Sequence, residues 1–447
     1  MTSIVTDEAE SGRRGSGSTG GPTVAARPVA YIMSRFPSLT ETFILREMLE
    51  LEDQGQPVAV FPLIRMELPV RHAGVERILP KVHFTPFLNL AIVAANLRFL
   101  GRSPRRYVGL LWTVLRGCWG SSNLFVGALG IFPKSVYLAQ VMEERGIRHV
   151  HAHFATHPAL AALIISELTG ATFSFSAHAH DFFVDIQMLC TKLAKATFIV
   201  THCDFNKRYL LGLCPETPAD KIAVVRDGIE LAHYGKRRGE KTGGPYTILC
   251  VASLQPYKGV EYLVRACGLL KSRLGDFRCL LVGEGRERPK LERLISELEL
   301  DKTVRLLGGR PHDEVVRLLD QADAFVAPSV EAPDGQMDAI QVAVIEALAS
   351  YLPVVSTDLS AIPELIKDGI TGLLVPPADA AALADAIVRL HDSPELCQTL
   401  GRQGRDEVAA AYQLGPNVAR LRSLYAGVLC EGSESVENGR AESSHQI

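Results

Sequence analysis

The chain of 447 residues alternates between short apolar runs and longer segments whose apolar residues recur at helical spacing. The first such unit starts with the run VAYIM, continues with ETFILREMLELEDQG and ends, after Gly55, with the run PVAVFPL. One face of the predicted helix would carry four apolar side chains: Phe43, Ile44, Met48 and Leu51. This strand–helix–strand order predicts the beginning of a parallel α/β sheet.

The same alternation continues along the chain and divides it into two halves. The runs HVHAHF, TFSFSA and TFIVTH predict further strands of the first sheet. Residues 233–245, HYGKRRGEKTGGP, are polar, basic and rich in glycine, which is typical of an interdomain linker. After it, strands and helices are predicted at YTILCVA, VEYLVRACGLLKSR, FRCLLVG, ERPKLERLISELEL, TVRLLG, HDEVVRLLDQA, AFVAPS, QVAVIEALASY and PVVSTD. We therefore predict an α/β protein of two doubly wound domains that face each other across a cleft.

Local composition sets the domain limits. Residues 1–26 and 431–447 are polar and poor in apolar side chains, and we predict that both are disordered tails. Between them we predict an N-terminal domain at 27–235 and a C-terminal domain at 245–412. A helix over 413–430 is expected to cross back to the N-terminal domain.

Overall composition narrows the class of protein. Hydrophobic residues make up 47% and charged residues 22% of the chain, as in a folded protein with sizeable cores. The formal net charge of −3 gives no overall case for binding nucleic acid. The N-terminus lacks a basic start followed by an apolar run, so we expect no secretory signal. The nine cysteines include no CxxC pair, so we expect reduced thiols in a cytoplasmic protein.

The segment 77–142 departs from this even composition, because it contains no Asp or Glu. Its eight basic residues are Arg77, Lys81, Arg98, Arg102, Arg105, Arg106, Arg116 and Lys134. Its apolar runs, FLNLAIVAANLRFL and YVGLLWTVL, are shorter than the roughly 20 residues that span a bilayer. An acid-free, basic and apolar helical surface favours anionic lipid, so we predict peripheral attachment to the inner face of the plasma membrane. The alternative is a set of core helices whose exposed faces are basic.

In open parallel sheets, ligands bind beyond the carboxyl ends of the strands, so the residues that follow each strand are candidates for the site. After the first strand of the second sheet comes QPYKG, in which Lys258 could contact a diphosphate and Gly259 would allow close approach of the backbone. After the second comes GEGRER, with Gly283 and Gly285. Both patterns also occur in ordinary loops and turns, and GEGRER lacks the rest of a dinucleotide fingerprint.

The most informative segment is VEAPDGQMDAIQVAVIEALAS. Its loop leads into the N-terminus of an apolar helix, where free N–H groups and the helix dipole favour phosphate. The carboxylates of Asp338 and Glu346 would instead accept hydrogen bonds from hydroxyl groups up to about 12 Å apart. This combination fits a nucleotide-diphosphate sugar. Asp338 could also be a helix cap and Glu346 a solvated helix residue, although a carboxylate within AVIEALA needs a partner.

These residues resemble a known family. DAIQVAVIEALASYLPVV, ASLQPYKGVEYLVRA, LLVGEGRERPKLERL and LIKDGITGLLVPPAD are similar to segments of the retaining glycosyltransferases of family 4. That family has the GT-B fold, with two Rossmann-like domains facing across a cleft. In the N-terminal half, FPSLTETFILREM, HAHFATHPA and FSFSAHAHDFF resemble bacterial transferases of the colanic-acid type, which build exopolysaccharides.

The resemblance implies retaining transfer of a hexose from a UDP- or GDP-sugar to a glycan or a polyprenyl-diphosphate-linked acceptor, without a cofactor. Asp338 and His178 would be catalytic, at the transferred sugar, while Glu346 would bind the donor ribose and Lys258 the diphosphate. The other donor-binding positions, in the nucleotide-sugar-binding C-terminal domain, would be Gly259, Gly283, Gly285, Ile340, Gln341, Val342 and Glu364. Positions on the acceptor side, in the N-terminal domain, would be Ser38, Thr40, Glu41, His180 and Asp181. His180 and Asp181 would orient either His178 or the acceptor.

Several positions depart from the family pattern. Asp338 stands for a Glu that is one methylene longer, and Ala339 and Gln341 stand for Gly and Pro. Tyr351 stands for a glycine, and Ser253 for an arginine that would bind phosphate. These changes leave open a non-catalytic partner in glycan assembly with a degenerate donor site. A sugar-nucleotide epimerase of the same fold is a further alternative, but it would not need the basic segment.

Six histidines within 32 residues, in HVHAHFATHP and SAHAHDFF, pose the question of a metal. Alternate side chains of a strand share a face, so His149, His151 and His153 would lie together. Further ligands at other strand ends could be His157, His178, His180 and Asp181. A histidine–metal hydrolase is therefore an alternative. The resemblance instead implies that helix N-termini and Lys258 stabilise the leaving diphosphate without a metal.

Overall fold

The computed structural model describes residues 27–37, 42–66, 74–87, 89–183, 186–235 and 243–443, with side chains up to Cys430 and without that of His180. Three predicted acceptor-side residues, Ser38, Thr40 and Glu41, lie outside the described residues. The N-terminal tail predicted from the sequence lies outside them as well.

The N-terminal domain is built on a parallel six-stranded sheet of order β2-β1-β3-β4-β5-β6. Its strands are β1 (Val29–Phe36), β2 (Val58–Arg65), β3 (His149–His153), β4 (Thr172–Ala177), β5 (Phe198–Thr201) and β6 (Ile222–Val224). Its helices are α1 (Thr42–Asp53), α2 (Val75–Ile78), α3 (Leu90–Arg102), α4 (Pro104–Cys118), α5 (Ser122–Glu144), α6 (His157–Thr169), α7 (Ala179–Phe183), α8 (Leu189–Lys195) and α9 (Asp204–Leu213). All strands quoted from the sequence for this half are confirmed.

The C-terminal domain repeats this architecture with a parallel sheet of order β12-β11-β10-β7-β8-β9. Its strands are β7 (Tyr246–Val251), β8 (Phe277–Val282), β9 (Val304–Gly308), β10 (Ala324–Ala327), β11 (Val354–Thr357) and β12 (Leu373–Val375). Its helices are α10 (Val260–Leu270), α11 (Arg288–Glu297), α12 (His312–Gln321), α13 (Val342–Ala349), α14 (Ile362–Leu365), α15 (Ala380–Asp392) and α16 (Pro394–Ala411). Short 3-10 helices lie at Leu79–Lys81, Ala219–Lys221, Leu231–His233 and Pro256–Lys258. The predicted fold of two doubly wound α/β domains is confirmed.

The two domains are tied together by segments that leave one and pack on the other. Ile229 and Tyr234, at the end of the N-terminal half, are buried in the core of the C-terminal domain. The last helix, α17 (Leu414–Ser443), returns to the first sheet, where the Tyr425 hydroxyl lies 2.9 Å from that of Tyr31. This helix runs past residue 430, where the sequence predicted the start of a disordered tail.

The basic segment 77–142 forms α3, α4 and α5 on one side of the first sheet. By length and composition, α5 is the one helix of the described residues that could cross a membrane, yet 56% of its apolar window is buried inside the protein. Within it, the Lys134 ammonium donates hydrogen bonds to the carbonyls of Leu63 and Thr85 at 2.5 and 2.6 Å, and burial lowers its pKa to about 8. The α5 helix therefore serves the core of the domain.

The expectation that all cysteines are reduced thiols is wrong for one pair. Cys190, in α8, and Cys214, just after α9, form a disulfide with their Cα atoms 5.4 Å apart. The two cysteines are 24 positions apart and belong to no spacing motif, so only their proximity in the folded chain reveals the pair. The other seven cysteines are not part of a disulfide among the described residues.

Candidate active site

Lys258 and Asp338 form an ion pair at the carboxyl edge of the second sheet. Lys258 ends the 3-10 turn after β7, and its Nζ lies 2.8 Å from both carboxylate oxygens of Asp338. The Ser329 hydroxyl, beyond β10, lies 3.2 Å from Asp338 Oδ2 and accepts a hydrogen bond from the Gln341 amide at 2.7 Å. This network fixes the ammonium where a diphosphate of a donor would need it, beside a carboxylate that can accept sugar hydroxyls.

The predicted donor-binding glycines are required by the backbone itself. Gly259 has φ +62°, and a Cβ on it would lie 1.9 Å from the carbonyl oxygen of Pro328. A Cβ on Gly283 or Gly285 would lie 1.9 or 2.3 Å from a carbonyl oxygen of the loop after β7. These glycines let the loops after β7, β8 and β10 touch, which places Lys258 against Asp338. Contact of these glycines with a donor stays a prediction.

The first turn of α13 begins at Val342, directly after Ile340 and Gln341. Helix N-termini leave backbone N–H groups without intrahelical partners, so this turn can receive a phosphate or another acceptor group. Ile340 and Val342 pack their side chains against the core of the C-terminal domain, which leaves only their backbone for such a contact. The side chain of Gln341 donates a hydrogen bond to Ser329, whose hydroxyl in turn contacts Asp338.

Glu346 is buried on α13, with 8% of its side chain exposed, and its partners come from both domains. Tyr234 donates a hydrogen bond to Oε1 at 2.8 Å, and burial raises the pKa of this phenol, with the Glu346 charge adding to the shift. The Arg46 guanidinium, from α1, lies 3.5 Å from Oε1, and the His312 ring lies 3.7 Å from it. The carboxylate predicted to need a partner therefore has three.

Glu364, another predicted donor residue, bonds across the cleft to the N-terminal domain. Its carboxylate accepts hydrogen bonds from the backbone N–H groups of Asp204 and Phe205, at 2.9 and 2.5 Å, at the start of α9. Arg208 lies 3.6 Å from the same carboxylate. A carboxylate at a helix N-terminus is stabilised by the free N–H groups and the dipole, so Glu364 links the domains in this structure. Its contact with a donor stays a prediction.

His178 follows β4 and lies among aromatic rings at the carboxyl edge of the first sheet. Its ring centroid is 4.4 Å from that of His202, on which it stacks, and 4.8 and 5.2 Å from those of Phe154 and Phe43. His202 follows β5 and pairs with Asp227, which follows β6, at 3.3 Å. Strand ends β3 to β6 thus bring a group of titratable side chains to the N-terminal wall of the cleft.

Asp181 was predicted to lie on the acceptor side and to orient His178 or the acceptor, and only 2% of it is exposed. Its Oδ2 accepts hydrogen bonds from the backbone N–H groups of Ala155, at 2.7 Å, and His178, at 3.0 Å. The buried Lys192 donates to the Ala155 carbonyl beside it. Asp181 therefore holds together the turns after β3 and β4 and fixes the backbone of His178. Any effect of Asp181 on an acceptor stays a prediction. For the neighbouring His180, only the backbone, in α7, is described.

The Asp181 carboxyl should make folding stability depend on pH. Burial raises its pKa to about 6, against the lowering effect of the two amides and Lys192. A carboxyl whose pKa is raised by folding binds its proton more tightly in the folded state, so stability is lost as the pH rises from 4 to 6. We expect wild type to lose about 2.4 kcal/mol relative to Asp181→Asn between pH 4 and pH 7, at about 1.4 kcal/mol per pKa unit and with the unfolded carboxyl already partly ionised at pH 4. Urea unfolding across this range measures the difference, and parallel curves for the two proteins would contradict it.

The three strand histidines lie on one face of β3, as predicted, and are fully buried. His149 and His151 lie 2.8–3.1 Å from the hydroxyls of Thr172, Ser174 and Ser176 on the neighbouring β4. Burial lowers the pKa of His149 to about 3 and that of His151 as well, so both are neutral. They form a polar ladder inside the sheet.

His153, by contrast, has a carboxylate partner. Its Nε2 lies 3.0 Å from Oε1 of Glu47, which also accepts from the Tyr31 hydroxyl at 2.8 Å. Burial raises the pKa of Glu47, but His153 and Tyr31 outweigh it, and the net effect lowers this pKa. Ligand atoms of Glu47, His151 and His153 lie within 4.8 Å of one another, close enough to share a cation. The ligand set expected from the sequence did not include Glu47.

Several residues of the cleft were missed from the sequence. His202 directly follows β5 and Asp227 is the third residue after β6, so the rule applied to the second sheet would have found them in the first. Arg46 and Glu47 lie within the motif FPSLTETFILREM, yet only their contacts single them out. His312 opens α12, where it reads as an ordinary first-turn residue.

The bulky Tyr351, where the family has glycine, adopts φ +58°. Left-handed backbone is unfavourable for a side chain of this size, which explains the usual glycine. Here the Tyr351 ring packs under the Arg405 guanidinium, 4.5 Å from the ring centroid. This contact offsets part of the free-energy cost of the left-handed backbone. Tyr351 takes no part in the network of Lys258 and Asp338.

Comparisons with known proteins agree with this architecture. Residues 245–393 match the family model described as Glycosyl transferases group 1. The amylovoran biosynthesis glycosyltransferase AmsK of Erwinia amylovora is 30% identical over 394 residues, covering 81% of this chain and 90% of the relative. The WcaL protein of Salmonella typhimurium, whose name assigns it to colanic acid biosynthesis as a glycosyltransferase, is 38% identical over 211 residues, covering 46% of this chain and 51% of its own.

Solved structures show the same fold at low sequence identity. Sucrose-phosphate synthase from Thermosynechococcus elongatus superposes with a TM-score of 0.68 at 17% identity, covering 91% of this chain and 100% of the other. HepE of Anabaena, in complex with UDP and glucose, superposes with a TM-score of 0.65 at 15% identity. The match covers 90% of this chain and 100% of the HepE chain. The similarity to AmsK is sustained over four fifths of the sequence and both sheets. The chain therefore belongs to the group 1 family of glycosyltransferases.

Proposed function

We propose that this protein transfers a hexose from a UDP- or GDP-sugar to a hydroxyl of a growing glycan in exopolysaccharide biosynthesis, with retention of the anomeric configuration. The observation that carries the proposal is the Lys258–Asp338 pair at a sheet edge, with the buried Glu346 on the adjoining helix. A cation for the diphosphate thus stands beside carboxylates for hydroxyl groups. The names of AmsK and WcaL, which place those proteins in amylovoran and colanic acid biosynthesis, support the choice of product.

In the proposed step, the acceptor oxygen bonds to the anomeric carbon on the face from which the diphosphate leaves. The bond from that carbon to the diphosphate oxygen breaks, and the departing diphosphate takes the acceptor proton. Lys258 and the first turn of α13 stabilise the charge that develops on the diphosphate. Asp338 orients hydroxyls of the transferred sugar, and His178 borders it from the opposite wall. No cofactor or bound metal is needed for this step.

We further propose that the acceptor is carried on a polyprenyl diphosphate lipid and that the protein works on the inner face of the plasma membrane. Among the described residues, ten of the fifteen large apolar side chains that are exposed belong to one segment, and we call them the α3–α5 apolar surface. They are Phe87, Leu90, Val93, Leu97, Leu100, Val108, Trp112, Trp119, Val126 and Leu129. This concentration of exposed apolar side chains in one segment supports an interaction site there.

The charges around this surface favour anionic lipid. The exposed residues Arg105, Arg106 and Arg116 have no acidic partner among the described residues, and no acidic side chain occurs in the segment. Two tryptophans, which prefer the interface between headgroups and acyl chains, lie at Trp112 and Trp119. Such a surface would hold the acceptor wall of the cleft near the lipid that carries the acceptor.

Calorimetric titration with UDP, GDP and ADP, with and without EDTA, tests the donor site. We expect one nucleotide to bind equally well in EDTA, and its affinity to fall at least about ten-fold in Glu346→Ala, because hydrogen bonds to a charged group contribute about 1.5–3 kcal/mol. Absence of binding for all three nucleotides would favour a non-catalytic protein. Binding that requires metal would revive the Glu47, His151 and His153 group as a ligand set.

A further inference from the structure

The carboxylate of Glu346 is held from one side only. The Tyr234 hydroxyl, the Arg46 guanidinium and the His312 ring all approach Oε1, at 2.8, 3.5 and 3.7 Å. No described residue donates a hydrogen bond to Oε2 of Glu346. A carboxylate can accept several hydrogen bonds, so the second oxygen retains its capacity for a ligand.

The three partners also contact one another, so they behave as a unit. Arg46 Nη2 lies 3.3 and 3.2 Å from the two ring nitrogens of His312, and the Tyr234 hydroxyl lies 3.3 Å from His312 Nε2. Burial is the main cause that lowers the pKa of His312, with Glu346 opposing and Arg46 assisting, so the ring is neutral. Arg46 is then the positive charge that faces Glu346.

Arg46 belongs to α1 of the N-terminal domain, whereas Glu346 and His312 belong to helices of the C-terminal domain. The guanidinium reaches the carboxylate only when the two domains are apposed. The geometry points to Arg46 as a positioning residue of the donor site, acting with Tyr234 and His312. We propose that these residues fix Oε1 of Glu346 so that Oε2 accepts a ribose hydroxyl, which makes ribose recognition depend on both domains.

This inference rests on the proposed function, because it assumes that a nucleotide occupies the C-terminal domain. It adds that ribose binding and domain apposition reinforce each other: a fixed Glu346 binds ribose better, and a bound donor favours the closed cleft. The donor would thus assemble the site in which it reacts.

Comparing UDP with 2′-deoxy-UDP isolates the ribose contact, with the guanosine pair used instead if GDP is the nucleotide that binds. We expect wild type to prefer UDP about ten-fold, because the deoxy analogue lacks a hydrogen bond to a charged group. Arg46→Gln should lower the affinity for UDP about ten-fold and leave the affinity for the deoxy analogue nearly unchanged. The preference for UDP would then disappear. Tyr234→Phe, which keeps the ring packing, should shrink the preference in the same way, and Arg46→Lys should restore part of it.

Arg208→Gln is the matched control, because Arg208 also faces a carboxylate of the other domain, Glu364 at 3.6 Å, but is 68% exposed and does not contact Glu346. It should keep the wild-type preference. If Arg46→Gln keeps the preference or binds UDP more tightly, the inference is wrong, while the proposed function stands. If wild type binds no nucleotide, the proposed function itself fails. A general loss of fold in Arg46→Gln would lower the affinity for UDP and for the deoxy analogue equally. In that case the preference measured in Tyr234→Phe tests the inference.

Discussion

Replacing Lys258 by alanine is expected to lower the rate of sugar transfer about 1000-fold. Lys258 is a cation held by Asp338 at the carboxyl edge of the second sheet, where the diphosphate of the proposed donor would leave. Removing one group that stabilises transition-state charge typically costs about 10²–10³ in rate, and here the lost group carries a full charge. Initial rates with the sugar of whichever nucleotide binds, measured in wild type and variant, give the factor.

The loss should fall on the rate constant more than on donor affinity, because the negative charge on the diphosphate grows as its bond to the sugar breaks. Lys258→Arg should recover part of the rate, since the charge is kept while the geometry changes. Lys271→Ala removes an exposed lysine just after α10 and should leave the rate unchanged. A Lys258→Ala protein that transfers sugar within a few-fold of wild type would exclude Lys258 as the main stabiliser of the diphosphate.

The fold could be predicted from the sequence because the spacing of apolar residues within each short segment indicates a strand or a helix. Apolar runs such as YTILCVA and amphipathic segments such as HDEVVRLLDQA each determine one element, and strand-to-helix order implies a parallel sheet. The same logic placed Lys258 and Asp338 at one edge of the sheet, because both residues come after strands that end there, but it did not predict their ion pair. The spacing of apolar residues therefore predicts where the carboxyl edge of the sheet lies and which residues stand on it.

The other half of the site depends on contacts between distant parts of the chain. Arg46 and Glu346 are separated by 300 residues, and no local pattern links them. The same holds for Glu364, which follows a strand as predicted but bonds to the start of α9 in the other domain. Asp181 illustrates a second limit, since the sequence places it next to His178 but does not show that its carboxylate is buried. Burial decided whether this residue meets the acceptor or supports the backbone.

The double variant Trp112→Glu, Trp119→Glu is expected to weaken binding to anionic vesicles by at least about 100-fold. The two side chains are 64% and 76% exposed, on the α3–α5 apolar surface. Burying an aromatic side chain at an interface is worth a few kcal/mol, at about 25 cal/mol per Å² of apolar surface, so losing two exceeds the roughly 2.7 kcal/mol that 100-fold represents. Co-sedimentation with vesicles of phosphatidylglycerol and phosphatidylethanolamine measures the partition.

The basic residues should act differently from the tryptophans, which separates the two contributions. The double variant Arg105→Gln, Arg106→Gln should bind anionic vesicles about 30-fold more weakly, since each of the two charges contributes about 1 kcal/mol, and its binding to neutral lipid should change little. Ile370→Ser removes an exposed apolar side chain of the C-terminal domain, 52% exposed and distant in sequence from the segment, and should bind as wild type does. If the tryptophan variant also binds as wild type does, the apolar surface serves another partner, and the acceptor need not be a lipid. If it loses binding while soluble-donor affinity is intact, attachment and donor recognition belong to separate domains, and the cleft between them is where the lipid-linked acceptor meets the nucleotide sugar.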